Sequence, residues 1–322
     1  MTIKQAVACG LLAMTPALTG CLSLSGLFTH THSVLKTRLP DVVYNSTLDQ
    51  LLKQADDRSA AIQSMTVIVQ VVACSGGSLK GTVKCNNIPF SGYIIIGKPE
   101  QIRLILNLPV IMSRAMDMVS DGKAFKMLIP PENCAITGSD VVTNSSQKGL
   151  YALRPGVILD SLLIRGLEPD QVVSMTQDSW IPQQPKSRKG VVEDPDYDIE
   201  FLSQPQGQVA HTLRVVHIDR VNLLPWRQDI YNADGKVETQ ATYDKYQKFG
   251  EINFPTKIEI QRPLDELGLT ITITKATFNQ PLLEDQFKLD IPENTAHLTN
   301  MDDPTSGTIK DPCAVHGTQS PH

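Results

Sequence analysis

Leu267 to Phe278 sets the strongest limit on what this chain can become. Leu269, Ile271 and Ile273 alternate with Thr270, Thr272 and Thr274. That period of two cannot sit on a helix and is what a strand with one buried face requires. The same character recurs at Met65 to Cys74, Tyr93 to Gly97, Gln101 to Leu108, Lys123 to Ile129, Gln171 to Thr176 and Asp198 to Ser203. It continues at Val209 to Val221, Leu223 to Tyr231, Val237 to Tyr246 and Phe254 to Gln261, so the pattern predicts about eleven strands. Lys98-Pro99-Glu100, Asp121-Gly122 and Asn232-Ala233-Asp234-Gly235 are turn signals too short for a crossover, which makes the pairing antiparallel.

Such a sheet has one apolar face to cover. Asn45, Ser46 and Thr47 offer an N-cap to Leu48, Leu51, Leu52 and Ala55 at helical spacing, so residues 46 to 62 are predicted helical. Pro155 starts a second helix running to Ile164. Two helices cannot cover both faces of so many strands. The expectation is therefore a mainly β, α+β fold, a strongly curved antiparallel half-barrel with two or more helices on its concave face. Pro109 to Met118 lies between strands and reads as an adaptable apolar flap built on Val110, Ile111, Met112, Met116 and Met118. Residues 181 to 196 read as a loop that contains the basic cluster Lys186, Arg188 and Lys189.

The net charge of −5 offers nothing to attract nucleic acid. At the N-terminus Lys4 precedes the apolar run Ala6 to Ala13, too short to span a bilayer of roughly 30 Å, which marks a secretion signal. Leu18-Thr19-Gly20-Cys21 resembles the lipobox of bacterial lipoproteins. The resemblance implies cleavage before Cys21, acylation at that cysteine by chains such as palmitate, and a tethered protein. Leu22, in place of a retention aspartate, implies the outer membrane facing the periplasm. The expected organisation is a signal peptide at 1–20, a lipidated flexible tether at 21–43, one domain at 44–293 and a disordered tail at 294–322. Cys74, Cys85, Cys134 and Cys313 then remain to pair in an oxidising compartment, with three possible connectivities. Cys74 and Cys85 flank one hairpin, so Cys74–Cys85 is expected, and Cys134–Cys313 follows by elimination.

Gly92, a β run, Lys98-Pro99, Arg103, Asp121-Gly122-Lys123, a second β run and Pro130 follow an order that resembles the LolA/LolB family of lipoprotein-localisation factors. The helix near Pro155, Phe254-Pro255-x-Lys257-Ile258 and Phe287-x-Leu289-x-Ile291-Pro292 extend the resemblance over most of residues 46 to 292. It implies a half-barrel enclosing an apolar cavity, with a lipid or lipoprotein ligand; no cofactor is expected. The family's soluble carrier holds its lid closed with an arginine before the strand-linking proline; here Lys98 occupies that position. Leu104, Leu106, Leu108, Ile271 and Ile273 are the expected cavity lining, with plain core packing as an alternative of at least equal weight. The alternative is a structural or sensory envelope module that binds a partner protein through the same fold.

The chain contains no Gly-x-Ser-x-Gly, His-Glu-x-x-His, Cys-x-x-Cys or glycine-rich phosphate loop, which argues against an enzyme. His211 and His217 share parity on one predicted strand but stand about 20 Å apart at roughly 3.3 Å per residue, too far to share a metal. They read as sheet-surface histidines. Asp194, Asp196, Asp198 and Glu200 alternate without a calcium-loop glycine and read as a solvated acidic turn, so no metal is expected.

Overall fold

A computed structural model of the chain describes residues 37–76, 84–86, 88–140, 154–180, 191–301 and 313. The expected signal peptide, Cys21, the expected tether up to residue 36, the basic cluster at 186–189 and most of the expected tail lie outside the described residues. The first half of the fold holds β1 (Thr37–Arg38), α1 (Leu48–Ala61), β2 (Ser64–Ser75), β3 (Lys84–Cys85), β4 (Phe90–Gly97), β5 (Gln101–Asn107), β6 (Arg114–Ser120), β7 (Ala124–Ile129) and β8 (Cys134–Ser139). Next come α2 (Pro155–Leu162), β9 (Gln171–Trp180), β10 (Val191–Val192), β11 (Asp194–Ser203), β12 (Thr212–Asp219), β13 (Leu224–Tyr231), β14 (Val237–Phe249), β15 (Ile252–Arg262), β16 (Leu267–Phe278) and β17 (His297–Asn300).

Fifteen of these strands form one open sheet in the order β17-β8-β7-β6-β5-β4-β2-β16-β15-β14-β13-β12-β11-β9, with β3 also on β2. β1 and β10 pair separately in parallel. Within the large sheet every pair is antiparallel except β17 with β8. Two meanders thus meet where β2 pairs with β16, from Met65↔Phe278 to Ser75↔Leu267. The half-barrel expected from the alternation is present, and the two helices pack against its apolar face.

The strand total exceeds the expected one for local reasons. β6 begins within the expected flap, at Arg114, where Arg114 and Asp117 break the apolar run. Asp117 is fully buried yet matched: Arg103 grips both its oxygens at 2.9 and 2.8 Å, and Arg114 approaches at 2.5 Å. Met116 and Met118 are therefore core side chains of a strand and not part of any flap. β8 is short and built from small residues. The region 181–196 is not all loop, since β10 and the start of β11 fall within it. The region 294–322 is not all disordered: β17 runs along β8, Met301 is buried and Cys313 is joined to Cys134.

The larger buried cluster gathers Val67, Val69 and Val71 from β2 with β4–β8, β14–β16 and Ile158, Leu159 and Leu162 of α2. A smaller one sets Leu51 of α1 against Tyr197, Ile199 and Phe201 of β11 and Val216 and Ile218 of β12. Both expected disulfides are present, Cys74–Cys85 closing a separation of 11 residues and Cys134–Cys313 one of 179. Loop-closure entropy assigns about 3 kcal/mol to the shorter and about 5 kcal/mol to the longer. Urea unfolding of the two paired Cys→Ala variants is expected to follow that order, with the Cys134/Cys313 pair losing more; equal losses would show that the tail carries no structural load.

Candidate functional site

α1 is built to stay in place over the second meander. Thr47 Oγ1 accepts from Gln50 N while Gln50 Oε1 accepts from Thr47 N, a reciprocal cap that satisfies otherwise orphaned amides. Just upstream, Ser46 N donates to Tyr197 Oη at 2.9 Å, which ties the helix start to β11. At its far end Arg58 Nη2 donates to Leu223 O at 2.6 Å. Lys98 Nζ, in the turn between β4 and β5, donates to Ser59 O and also reaches Ser59 Oγ at 3.3 Å. A cation on the last helical turn is favoured by the helix dipole as well as by the bond. Lys98 thus ties the β4–β5 turn to the last turn of α1 through a single donor group.

Between α1, the segment leaving α2 and the concave faces of β11–β15 lies a cavity of about 350 Å³. α1 contributes Leu51, Ala55, Arg58 and Ile62, and the α2 exit contributes Leu162, Leu163 and Ile164. The sheet contributes Ile199, Phe201, Val216, Ile218, Tyr243 and Phe254, among others. Arg214 holds the α2 exit segment down: it lies 3.7 Å over the Phe201 ring and donates to Arg165 O and Gly166 O at 2.7 and 2.6 Å. Burial pushes its guanidinium down to about 10, which leaves it charged at neutral pH. Tyr246 Oη donates to Pro225 O at 2.7 Å. Tyr243 Oη is buried in the lining without a hydrogen-bond partner among the described residues, and burial keeps the phenol neutral.

The residues expected to line a cavity sit elsewhere. Leu104, Leu106, Ile271 and Ile273 are in the larger core cluster, Leu108 is half-buried, and none of the five borders this cavity. Their half of the concave face is filled by α2. Val110, Ile111 and Met112 form the exposed turn between β5 and β6, with Val110 88% exposed, and they do not reach the cavity. No residue-by-residue signal marked the true lining, because α1 meets β11–β15 only through the sheet's curvature.

The convex face of the same strands differs from its sequence reading. His211 precedes β12, whereas His217 lies within it. Asp194 to Glu200 form a strand and not a solvated turn, and Asp196 is only 3% exposed. Burial, with Asp198 close by, pushes the Asp196 carboxyl up to about 6. For His217 burial opposes the charged form, but hydrogen bonds to Asp198 and Asp229 outweigh it and push the imidazole up to about 9.

A sequence-family profile described as an uncharacterized protein matches residues 187–291. No curated protein matches the chain. Among solved structures the chain is similar to a LolA superfamily protein from Nitrosomonas europaea, with 13% identity and a TM-score of 0.47 over 76% of this chain and 99% of that one. It is also similar to a DUF1329 family protein from Desulfovibrio piger, with 13% identity and a TM-score of 0.46 over 74% of this chain and 95% of that one. A putative outer membrane lipoprotein-sorting protein domain from Vibrio parahaemolyticus gives 9% identity and a TM-score of 0.44 over 74% of this chain and 94% of that one.

Lys98→Met is expected to cost about 1 kcal/mol, the worth of an ordinary hydrogen bond, while amide exchange at Ala60, Ala61 and Ile62 speeds up selectively. Hydrogen-exchange mass spectrometry checks this; unchanged exchange there would remove Lys98 from any role in holding α1.

Proposed function

We propose that this is a cell-envelope protein, anchored through an acylated Cys21 at the outer membrane and facing the periplasm, that binds or transfers the acyl chain of a lipid or lipoprotein without catalysis. The observation that carries the reading is the apolar cavity of about 350 Å³ under α1, whose size lies in the range of ordinary ligand pockets. Aliphatic and aromatic side chains line both its helical roof and its sheet floor. Each buried methylene contributes roughly 0.8 kcal/mol, so a stretch of ten gives roughly 8 kcal/mol, enough for micromolar binding before the cost of immobilisation is subtracted. Tyr243 Oη, neutral and without a hydrogen-bond partner among the described residues, suits the carbonyl of an acyl ester.

The test uses the full chain with an environment-sensitive fluorescent fatty acid and a long-chain acyl ester as competitor. Uptake with a Kd weaker than micromolar by the cost of immobilisation is expected. Leu163→Trp and Ile252→Trp, which fill the cavity from its half-buried rim, should each weaken uptake at least tenfold, about 1.4 kcal/mol, without a matching loss of thermal stability. Tyr243→Phe should weaken the ester and leave a plain hydrocarbon probe unaffected. Absence of uptake, or uptake indifferent to both Trp variants, would eliminate the cavity as the binding site.

The exposed Val110-Ile111-Met112 turn favours a second reading, in which the same module binds a partner protein. An envelope partner cross-linked through that turn, together with no acyl uptake, would establish it in place of the first.

A further inference from the structure

The convex face of β11–β13 carries a second constellation, back to back with the cavity. Asp196 and Asp198 are two residues apart on β11 and share a face, and the sheet register sets His217 of β12 directly opposite Asp198. His217 Nδ1 lies 2.6 Å from Asp198 Oδ1 and 3.9 Å from Asp196 Oδ2. One oxygen from each carboxylate and one ring nitrogen all fall within 4.8 Å of one another.

The surroundings of these three residues are those of a held ligand set. The other ring nitrogen, His217 Nε2, faces Asp229 Oδ2 at 3.4 Å, the backing carboxylate that commonly orients a metal-binding histidine. Asp229 is in turn fixed by Arg227 at 2.9 and 2.6 Å and by Gln240 at 3.1 Å. Trp226 Nε1 donates to Asp196 Oδ2 at 3.1 Å. Asp196 Oδ1 is buried with no hydrogen-bond partner among the described residues. A closed ionic network would leave no carboxylate oxygen of a 97%-buried residue unmatched, since that desolvation is costly. Asp198 and His217 keep 17% and 15% of their side chains exposed, which leaves an approach from solvent.

We propose that Asp196, Asp198 and His217 form a binding site for one divalent transition-metal ion of the zinc class, with Asp229 as the positioning residue behind the imidazole. Mixed carboxylate and imidazole donors suit zinc, whereas an oxygen-only set would suit calcium or magnesium. Tetrahedral metal bonds of about 2.0–2.2 Å place donors roughly 3.4 Å apart, so from 2.6 Å the Asp198 and His217 donors separate by less than about 1 Å and from 3.9 Å Asp196 closes in by about 0.5 Å, with the ion taking the place of the Nδ1 proton, which is released to solvent.

The chain contains two tryptophans, and Trp180 and Trp226 stack with ring centroids 4.4 Å apart beside this site. Intrinsic fluorescence therefore reports on it. After chelator treatment and dialysis, titration of the full chain with zinc chloride is expected to change tryptophan emission with a stoichiometry of one ion per chain, reversibly on adding chelator. Asp198→Asn and His217→Gln should abolish the change. Asp229→Asn should weaken zinc binding about 10–100-fold. Urea midpoints of each variant, measured without metal, show whether the fold survives, and wild-type binding stands apart from any variant that does not fold. No emission change with zinc, a change that persists in both ligand variants, or a response to calcium and not to zinc would each overturn the assignment. This site shares no residue with the acyl cavity, so zinc binding and acyl uptake can fail independently.

Discussion

The structure depends on β2, which pairs with β4 on one side and with β16 on the other. The larger core draws on both meanders, β4–β8 from the first and β14–β16 from the second, and β2 joins them. Val67, Val69 and Val71 point into the shared core along the seam. The pairing brings together residues about two hundred positions apart, so its loop-closure entropy must be met by burial and not by local propensity. The seam also places the cover. Asn279, just past β16 in a left-handed conformation, donates from its backbone to Ser64 O and from Nδ2 to Ala61 O, while its Oδ1 accepts from Gln63 N, each at 2.8 Å. One side chain thereby ties the end of α1, the start of β2 and the end of β16 into a single joint.

From that joint follows the division of the concave face. α2 is apolar nearly all round and sinks into the first half, where Ile158, Leu159 and Leu162 complete the main core. α1 is amphipathic and contributes Leu51 as its one fully buried residue, so it rests on the second half as a roof. The cavity lies where the roof stands off from the sheet. This is why residues with the cleanest alternation, such as Leu104 and Ile271, are packed core and not lining: regular alternation next to a well-fitted helix fills space.

The legibility of the sequence follows the same division. β16, the capped start of α1 and the turn at Asp121-Gly122 announce themselves because their causes are local. Asp121 Oδ1, for example, accepts from Lys123 N and Ala124 N at 2.9 Å. β6 does not, because Asp117 looks like a solvated residue until Arg103 from the neighbouring strand neutralises it. The tail strand β17 is illegible for a related reason: its order comes from β8 and from Cys134, more than 150 residues earlier. His217 reads as an ordinary surface histidine until the register delivers Asp198 across the ladder and a bulge between His217 and Ile218 turns Trp226 toward Asp196.

The period of two that defines the fold also explains how one strand can serve two chemistries. Along β11, Tyr197, Ile199 and Phe201 face α1, the last two bordering the cavity, while Asp196 and Asp198 lie on the other face. The two faces are insulated by the sheet yet share a backbone, and Tyr197 stands between the two carboxylates. Its hydroxyl accepts from Ser46 N at the entrance to α1, and Arg220 stacks 4.8 Å over its ring. Tyr197 thus seats the start of the roof helix from one face of β11, while its neighbours Asp196 and Asp198 build the outer constellation on the other. The alternation of a single strand therefore serves both faces without a residue in common.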